Sequence, residues 1–288
     1  MIWSARVQIK AVMYCTGIEI LEGSQKVYQM KKSVCIEMVF TEVPFIERFR
    51  LAKESGFDYI EFWTWKDKDI KQIKELCRAY NLKIASFSGD QEFSMIDENQ
   101  REDYISFVES SIKTAHFLNC NNLVIHSNAL AENGAAIDQC LHVSKVNKIA
   151  AMLDVLKSLS VMAEAANVFL VLEALNTIVD HPGNFLTSTK DAAALIKLVN
   201  SQNIKILYDI YHMQIMEDNL IDTLKSYIGA IGYIHVADVP GRNEPGTGEI
   251  NFSNVMATLK ELNYQGFVGF ELSPQRDSAQ AVEAILHL

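Results

Sequence analysis

The sequence predicts an α/β protein with a single (β/α)8 TIM barrel, in which eight parallel strands form a barrel inside a ring of helices. From Ser33 onward, short runs rich in β-forming residues alternate with amphipathic stretches of ten or more residues. Eight such pairs in about 255 residues match the size and order of this barrel. An open doubly wound sheet alternates in the same way, but no G-x-G-x-x-G motif follows the first predicted strand.

The eight strands are predicted at short apolar runs that contain many β-branched and aromatic residues. They are Val34–Phe40, Tyr59–Trp63, Lys83–Ser88, Asn122–His126, Phe169–Leu175, Lys205–Ile210, Tyr233–Val239 and Phe267–Leu272. No linker or change of composition interrupts the chain between them, so these strands are expected to form one domain.

Helices are predicted between the strands, at Pro44–Glu54, Asp67–Tyr80, Glu98–Leu118, Ser144–Ala166, Thr189–Asn200, Leu220–Ile228, Phe252–Leu262 and Ser278–Leu286. Residues that favour helix ends support several of these bounds. Pro44 suits a first helical turn, and Gly56 suits a helix C-terminus. The hydroxyl groups of Thr187–Thr189 and of Ser278 are suitable N-caps.

The first 29 residues show no clear period. The run Met30-Lys31-Lys32 comes shortly before the first predicted strand, where a natural start of translation would fit. We therefore expect residues 1–29 to be an N-terminal extension of uncertain structure, and residues 30–288 to be the barrel domain.

Composition excludes several classes of partner. The 288 residues are 49% hydrophobic and 22% charged, with a formal net charge of -10 and five cysteines. The acidic balance and the lack of a basic run argue against nucleic acid or an anionic membrane as a partner. No apolar stretch reaches the roughly 20 residues that span a bilayer.

The cysteines are scattered and form no C-x-x-C motif, and the first segment is unlike a signal peptide. Both observations favour a location in the cytoplasm.

Four successive predicted strands each carry a polar residue in an apolar run: Glu173 in V-L-E-A-L-N, Asp209 in I-L-Y-D-I-Y-H, His235 in Y-I-H-V-A-D and Glu271 in V-G-F-E-L-S-P. In a barrel, these side chains meet near the carboxyl ends of the strands, where active sites form. Three buried carboxylates would repel one another, and burial would push each toward its neutral form. A divalent cation removes both difficulties, and this donor set suits Mg²⁺, Mn²⁺ or Co²⁺.

Each of these residues also has a simpler interpretation. A single carboxylate at a strand end is often paired with Lys or Arg, or solvated, and a lone histidine in a strand is often a hydrogen-bonded core residue. The matching depth on four consecutive strands favours a metal site.

The loop that follows His235 reads H-V-A-D-V-P-G-R-N-E-P-G-T-G-E-I-N-F. This segment, with V-L-E-A-L-N, Y-D-I-Y-H-M-Q and Y-Q-G-F-V-G-F-E-L-S-P, resembles the hydroxypyruvate isomerase family of xylose-isomerase-like barrels. The resemblance covers nearly everything from Ser33 to the C-terminus. It implies an intramolecular oxidoreductase of the aldose–ketose isomerase type that converts hydroxypyruvate to tartronate semialdehyde. It is compatible with either a monomer or a homo-oligomer.

The resemblance also implies roles for individual residues. Glu173 and Glu271 would be the catalytic pair, and Glu173, Asp209, His235 and Glu271 the metal ligands. The related ketose 3-epimerases have the same ligand set and contact substrate through residues that match His212 and Arg242. Those epimerases carry a second glutamate six residues after the first, where this chain has Val179. This departure favours a smaller substrate than a ketose.

The residue types also fit this chemistry independently of the family resemblance. Moving a carbonyl to a neighbouring carbon requires removal of a proton next to C=O and its return at the adjacent carbon, through an enediolate that a cation stabilises. A ketose or inosose epimerase, isomerase or dehydratase with the same ligands remains an alternative. An endonuclease-IV-like phosphodiesterase would need more histidines and a basic face. A metal-binding sensor without activity would bind the ion and exchange no protons.

Other polar residues are assigned less specifically. His126, at the end of the fourth predicted strand, is expected to contact substrate or to support the site. Arg242 is expected to hold a substrate carboxylate, or else to be a surface charge. The remaining candidates for contact or support around the mouth of the barrel are Glu61, Trp63, Trp65, Asn176, His181, Asp238 and Glu244.

Overall fold

The computed structural model describes residues 30–288, so the predicted extension at residues 1–29 lies outside the described part of the chain. Eight parallel strands pair in chain order, and the eighth pairs with the first to close the barrel. The strands are β1 Lys31–Cys35, β2 Tyr59–Phe62, β3 Lys83–Ser88, β4 Asn122–Ile125, β5 Phe169–Glu173, β6 Ile204–Asp209, β7 Ile231–Val236 and β8 Phe267–Phe270. The predicted (β/α)8 fold is confirmed.

Helices follow the strands around the outside of the barrel. They are α1 Phe45–Glu54, α2 Ile70–Tyr80, α3 Arg101–Leu118, α4 Lys145–Ala166, α5 Thr189–Val199, α6 Ile210–Met216, α7 Leu220–Tyr227, α8 Phe252–Glu261 and α9 Ser278–His287. Within residues 30–288, no helix combines the length and apolar character needed to cross a membrane.

Three local predictions need correction. The first strand was expected at Val34–Phe40, but β1 ends at Cys35 because the chain turns there and Phe40 takes a positive φ of 64°. Helix α6 was not predicted, because seven residues between a strand and a second helix show too little periodicity. Ser278 is not an N-cap: Asp277 caps α9, and the Ser278 hydroxyl contacts Glu42 instead.

The caps of other helices agree with the sequence. Ser188, within the predicted hydroxyl-bearing segment, accepts from the backbone of Asp191 at the start of α5. Gly56 follows α1 with a φ of +93°, a conformation that favours glycine. Asp69 and Ser144 cap α2 and α4 in the same way as Ser188.

Alternation along the strands explains how the barrel positions a polar site. Ala85, Val124, Val171, Leu207 and Tyr233 form the apolar packing cluster of the barrel interior. Side chains two residues apart on a strand share a face, so Glu173, Asp209 and His235, two positions beyond Val171, Leu207 and Tyr233, also point into the barrel. The barrel is therefore apolar in its middle layer and polar at its carboxyl end.

Candidate active site

The ends of four strands bring Glu173, Asp209, His235 and Glu271 together. Glu173 and Asp209 are the last residues of β5 and β6, His235 pairs with Asp209 in the ladder between β6 and β7, and Glu271 follows β8 directly. All four side chains are buried, and one candidate ligand atom from each lies within 4.8 Å of the others. The four residues predicted as ligands thus form one cluster.

His235 is the centre of this cluster. Its Nδ1 atom lies 3.7 Å from Glu173 Oε1, 3.8 Å from Asp209 Oδ2 and 3.6 Å from Glu271 Oε2. Within residues 30–288, neither ring nitrogen has a hydrogen-bond partner, and Glu173 Oε1 has none either. Buried polar atoms are normally hydrogen-bonded. Three carboxylates and an imidazole whose candidate ligand atoms converge on one point, two of them without a partner, fit a divalent cation such as Mg²⁺, Mn²⁺ or Co²⁺.

The electrostatics of the cluster favour a cation. Burial raises the pKa of Asp209, and the neighbouring Glu173 carboxylate raises it further, to about 7. Burial also opposes ionisation of Glu173, but the hydrogen bond from His126 and the nearby His235 hold its pKa well below the usual range. Burial would lower the pKa of His235, yet the carboxylates of Glu61 and Glu271 raise it well above its ordinary value. A bound cation would relieve the repulsion among these carboxylates.

His126, directly after β4, connects Glu173 to Asp90. Its Nε2 atom lies 3.1 Å from Glu173 Oε2, and its Nδ1 atom lies 3.0 Å from Asp90 Oδ1. The His126 backbone N–H donates to Asp90, as does the hydroxyl of Tyr104 at 2.7 Å. Asp90 was not predicted from the sequence, although its place two residues after β3 in S-G-D is a detectable signal.

This arrangement predicts a pH-dependent stability in metal-free protein. Burial would lower the pKa of His126, but the Asp90 and Glu173 carboxylates raise it to about 10. Because the folded pKa exceeds the unfolded value of about 6.5, the stabilisation is complete below pH 6.5 and is lost as pH rises through 10. A difference of one pH unit between the folded and unfolded pKa values changes the free energy of unfolding by about 1.4 kcal/mol.

Urea unfolding of metal-free protein between pH 6.5 and pH 10 measures this loss. We expect the unfolding free energy of His126→Gln to decline less over this range than that of the unmodified protein. Replacement of the exposed His142 by Gln is the matched control and should leave the slope unchanged. Equal slopes for His126→Gln and the unmodified protein would contradict the prediction.

Two side chains hold the Glu271 carboxylate from the mouth of the barrel. The Trp63 indole N–H donates to Oε1 at 2.7 Å, and an Arg242 guanidinium nitrogen donates to Oε2. The Arg242 guanidinium also lies over the ring of Tyr211, 5.4 Å from its centre. Burial lowers the pKa of Arg242, but Glu271 and nearby acids raise it, so the side chain is a cation beside the cluster. Arg242 is therefore a partly buried cation paired with Glu271 rather than a free surface charge.

Glu61 lies on the other side of His235, deeper in the barrel. Its carboxylate accepts from Ser33 at 3.0 Å, from Ser86 at 3.2 Å and from the Tyr233 hydroxyl. Its Oε1 atom lies 3.5 Å from His235 Nε2. Glu61 thus places negative charge behind the imidazole and keeps the ring oriented between two sets of carboxylates.

His212 lies in the first turn of α6 and is fully buried. Its backbone N–H donates to Asp209 Oδ1 at 3.0 Å, which caps the helix. The ring contacts Asn176 through Nδ1 and packs edge-on against His181, with 5.1 Å between ring centres. The short helix α6, which was not predicted, therefore places His212 beside Asp209.

Three residues predicted without a definite role serve mainly to hold the structure. Trp65 donates to Ser111 and packs among aromatic side chains. Asp238 is fully buried and accepts from four backbone N–H groups of its own loop. Glu244 is buried and accepts from the backbone of Gln275. Asp238 thus holds its own loop together, and Glu244 joins that loop to the segment after β8.

A cavity of about 550 Å³ opens above the cluster. Three residues of the cluster line the cavity: Glu173, His235 and Glu271. The predicted substrate-contact residues also line it: His126, His212 and Arg242. Polar side chains of the loops after β3 and β4, including Gln91 and Asn128, complete the wall. The cavity can hold a small polar molecule against the cluster.

Comparison with known proteins identifies the family of this chain. Residues 49–288 match the family described as xylose isomerase-like TIM barrel. The chain is 31% identical over 253 residues to hydroxypyruvate isomerase of Escherichia coli, covering 85% of this chain and 94% of the relative. It is 27% identical over 256 residues to 2-oxo-tetronate isomerase of Haemophilus influenzae, covering 86% and 95% of the two chains.

A solved structure extends the agreement to three dimensions. The crystal structure of an AP endonuclease, family 2, from Brucella melitensis superposes with a TM-score of 0.80 at 25% identity, covering 90% of this chain and 99% of that one. The fold, the family match and the full-length relatives agree. The chain therefore belongs to the xylose isomerase-like TIM barrel family and is a hydroxypyruvate isomerase-like enzyme.

Proposed function

We propose that this protein is a metal-dependent isomerase that interconverts hydroxypyruvate and tartronate semialdehyde. The observation that carries the proposal is the buried set of three carboxylates and one imidazole, with candidate ligand atoms within 4.8 Å of one another at a polar cavity. The similarity to the Escherichia coli isomerase supports the substrate. The net charge of -10 argues against DNA, the substrate class that the name of the Brucella protein suggests.

Glu173, Asp209, His235 and Glu271 would hold the cation. Their donor set suits Mg²⁺, Mn²⁺ or Co²⁺. When bound, the ion supplies Lewis-acid stabilisation of negative charge on substrate oxygens.

Glu173 and Glu271 are proposed to move the proton. One carboxylate takes a proton from C3 of hydroxypyruvate, which gives an enediolate, and the pair returns a proton at C2. The C3 hydroxyl proton passes to the oxygen on C2, so the product has an aldehyde at C3 and a hydroxyl at C2, with no atom gained or lost. His126 holds Glu173, while Trp63 and Arg242 hold Glu271, so both carboxylates are oriented before substrate enters.

Arg242, His212 and His126 are proposed to contact the substrate. Arg242 is the cation expected to attract its carboxylate, because it lines the cavity beside Glu271. The four cysteines within residues 30–288 are free, in keeping with the cytoplasmic location that we propose.

The experiment is a conversion assay. Enzyme loaded with Mn²⁺ or Mg²⁺ is incubated with hydroxypyruvate, and tartronate semialdehyde is measured by NMR. We expect hydroxypyruvate to give a higher kcat/KM than ketoses of four to six carbons. Failure to convert any of these compounds would contradict the proposal.

A larger sugar-like substrate is the second candidate. The cavity of about 550 Å³ exceeds the needs of a three-carbon acid, and the Haemophilus relative is named for a 2-oxo-tetronate. A higher kcat/KM on a four-carbon acid, or epimerisation of a ketose, in the same assay would favour this alternative.

A further inference from the structure

Asn176 connects the loop after β5 to the ring of His212. Hydrogen bonds from the loop backbone determine which side of the amide carries the oxygen and which carries the nitrogen. Its Oδ1 atom accepts from the backbone N–H groups of Val179 at 2.9 Å and Asp180 at 3.0 Å. Only the oxygen of an amide can accept both hydrogen bonds, so Nδ2 must face the other side. There, Nδ2 lies 2.7 Å from Asp180 Oδ2 and 2.7 Å from His212 Nδ1. One amide hydrogen of Asn176 therefore points to Asp180 and the other to His212.

This geometry determines where His212 carries its proton. An amide nitrogen donates and does not accept, so His212 Nδ1 must be the acceptor and carries no hydrogen. A neutral imidazole has one N–H group, which therefore lies at Nε2. The Nε2 atom is buried, has no hydrogen-bond partner in residues 30–288, and lies 3.7 Å from Asp209 Oδ2. His212 also lines the cavity, so this N–H group is free to meet a ligand there.

We propose that Asn176 is a positioning residue that holds His212 in its neutral Nε2–H form, so that the ring donates a hydrogen bond to a substrate oxygen beside Asp209. The inference rests on the proposed function, because the acceptor is an oxygen of the isomerising substrate. The neutral Nε2–H group stabilises negative charge that develops on this oxygen. Because Nε2 already carries its proton, it does not compete with the glutamates for the substrate proton. Loss of one such donor typically lowers kcat by about 10²–10³-fold.

The two ends of Asn176 allow its roles to be separated. Oδ1 holds the loop, whereas Nδ2 contacts the His212 ring, so Asn176→Asp keeps the loop acceptor and replaces only the donor. Alone, this change would place two carboxylates against each other, because Asp180 Oδ2 lies 2.7 Å from the exchanged atom. The double change Asn176→Asp with Asp180→Asn keeps the charge and reverses the direction of both hydrogen bonds. Asp180→Asn alone is the reference, since Asn176 then still donates to His212.

The first test is ¹⁵N NMR of the histidine rings in Mg²⁺-loaded protein. We expect an unprotonated Nδ1 and a protonated Nε2 for His212 in the unmodified protein and in Asp180→Asn. In the double variant, we expect a proton on Nδ1 and an unprotonated Nε2. A protonated Nδ1 in the unmodified protein, or no change in the double variant, would overturn the inference.

The second test is kinetic. We expect kcat of the double variant to be about a hundredfold to a thousandfold below that of Asp180→Asn, with unchanged near-ultraviolet circular dichroism. Equal kcat values would show that the substrate does not use the donor, and would overturn the assigned role. If the unmodified protein shows the expected ring protons but isomerises no substrate, the proposed function fails while the assignment of the ring proton is supported.

Discussion

Replacing Glu173 with Gln is expected to lower kcat/KM for isomerisation by about 10²–10⁴-fold, the usual contribution of a positioned proton-transfer group. Glutamine has nearly the same shape, but it cannot take up a proton from carbon and is a weak cation ligand. Glu173 accepts from His126 through Oε2 and faces His235 through Oε1, so the single oxygen of the amide can serve only one of these two sides. Steady-state kinetics with hydroxypyruvate at saturating Mg²⁺ measures the effect.

The control for this change is Glu261→Gln, which removes the same charge from the exposed last residue of α8. We expect the kcat/KM of this control to equal that of the unmodified protein. Circular dichroism should show that both variants keep the barrel, since Glu173 makes no backbone hydrogen bond through its side chain in the described part of the chain. Activity of Glu173→Gln within threefold of the control would contradict the two-glutamate mechanism.

Removing divalent metal with a chelator is expected to abolish turnover, and adding Mn²⁺, Mg²⁺ or Co²⁺ is expected to restore it. The bound ion should also stabilise the fold, by about 2.7 kcal/mol when its free concentration is a hundred times its Kd. Thermal unfolding with and without metal measures this stabilisation. Full activity in metal-free protein would contradict the metal-dependent mechanism.

The variant Asp209→Asn is expected to lose stabilisation by the metal while keeping the fold. Asparagine can replace aspartate as the N-cap of α6, so the helix should be retained. Burial and Glu173 raise the pKa of Asp209 to about 7, so loss of its charge should cost the metal-free protein little. We expect the metal-dependent gain in Tm to disappear in Asp209→Asn and to persist in Asp222→Asn, which changes an exposed residue at the start of α7.

The fold and the cluster were predictable because both follow from short patterns. Alternating strands and helices specify the barrel, and polar residues in apolar strand runs specify which side chains meet at its carboxyl end. Glu173, Asp209, His235 and Glu271 were found in this way, and their side chains do lie together. Their roles as ligands and catalysts stay predictions that the experiments above test.

The features that the sequence did not reveal depend on loops. Asp90 reaches His126 from a separate loop, 36 residues away in the chain. Asn176 was a candidate from the sequence, but its contact with His212 was not, because this contact requires helix α6, which is too short to show periodicity. The end of β1 depends on pairing with β2 and β8 rather than on local preference. Tertiary contacts decide these features, and local pattern does not record them.

The most direct measurement is the incorporation of solvent deuterium during turnover. Metal-loaded enzyme converts hydroxypyruvate in D₂O, and NMR or mass spectrometry locates the label in tartronate semialdehyde. Proton transfer by Glu173 and Glu271 predicts deuterium at C2 of the product, and loss of labelling in Glu173→Gln and in Glu271→Gln. Product formed without deuterium would mean that the hydrogen of C3 itself is returned to C2, by a hydride shift or by one base that does not exchange, and would contradict proton transfer through two glutamates.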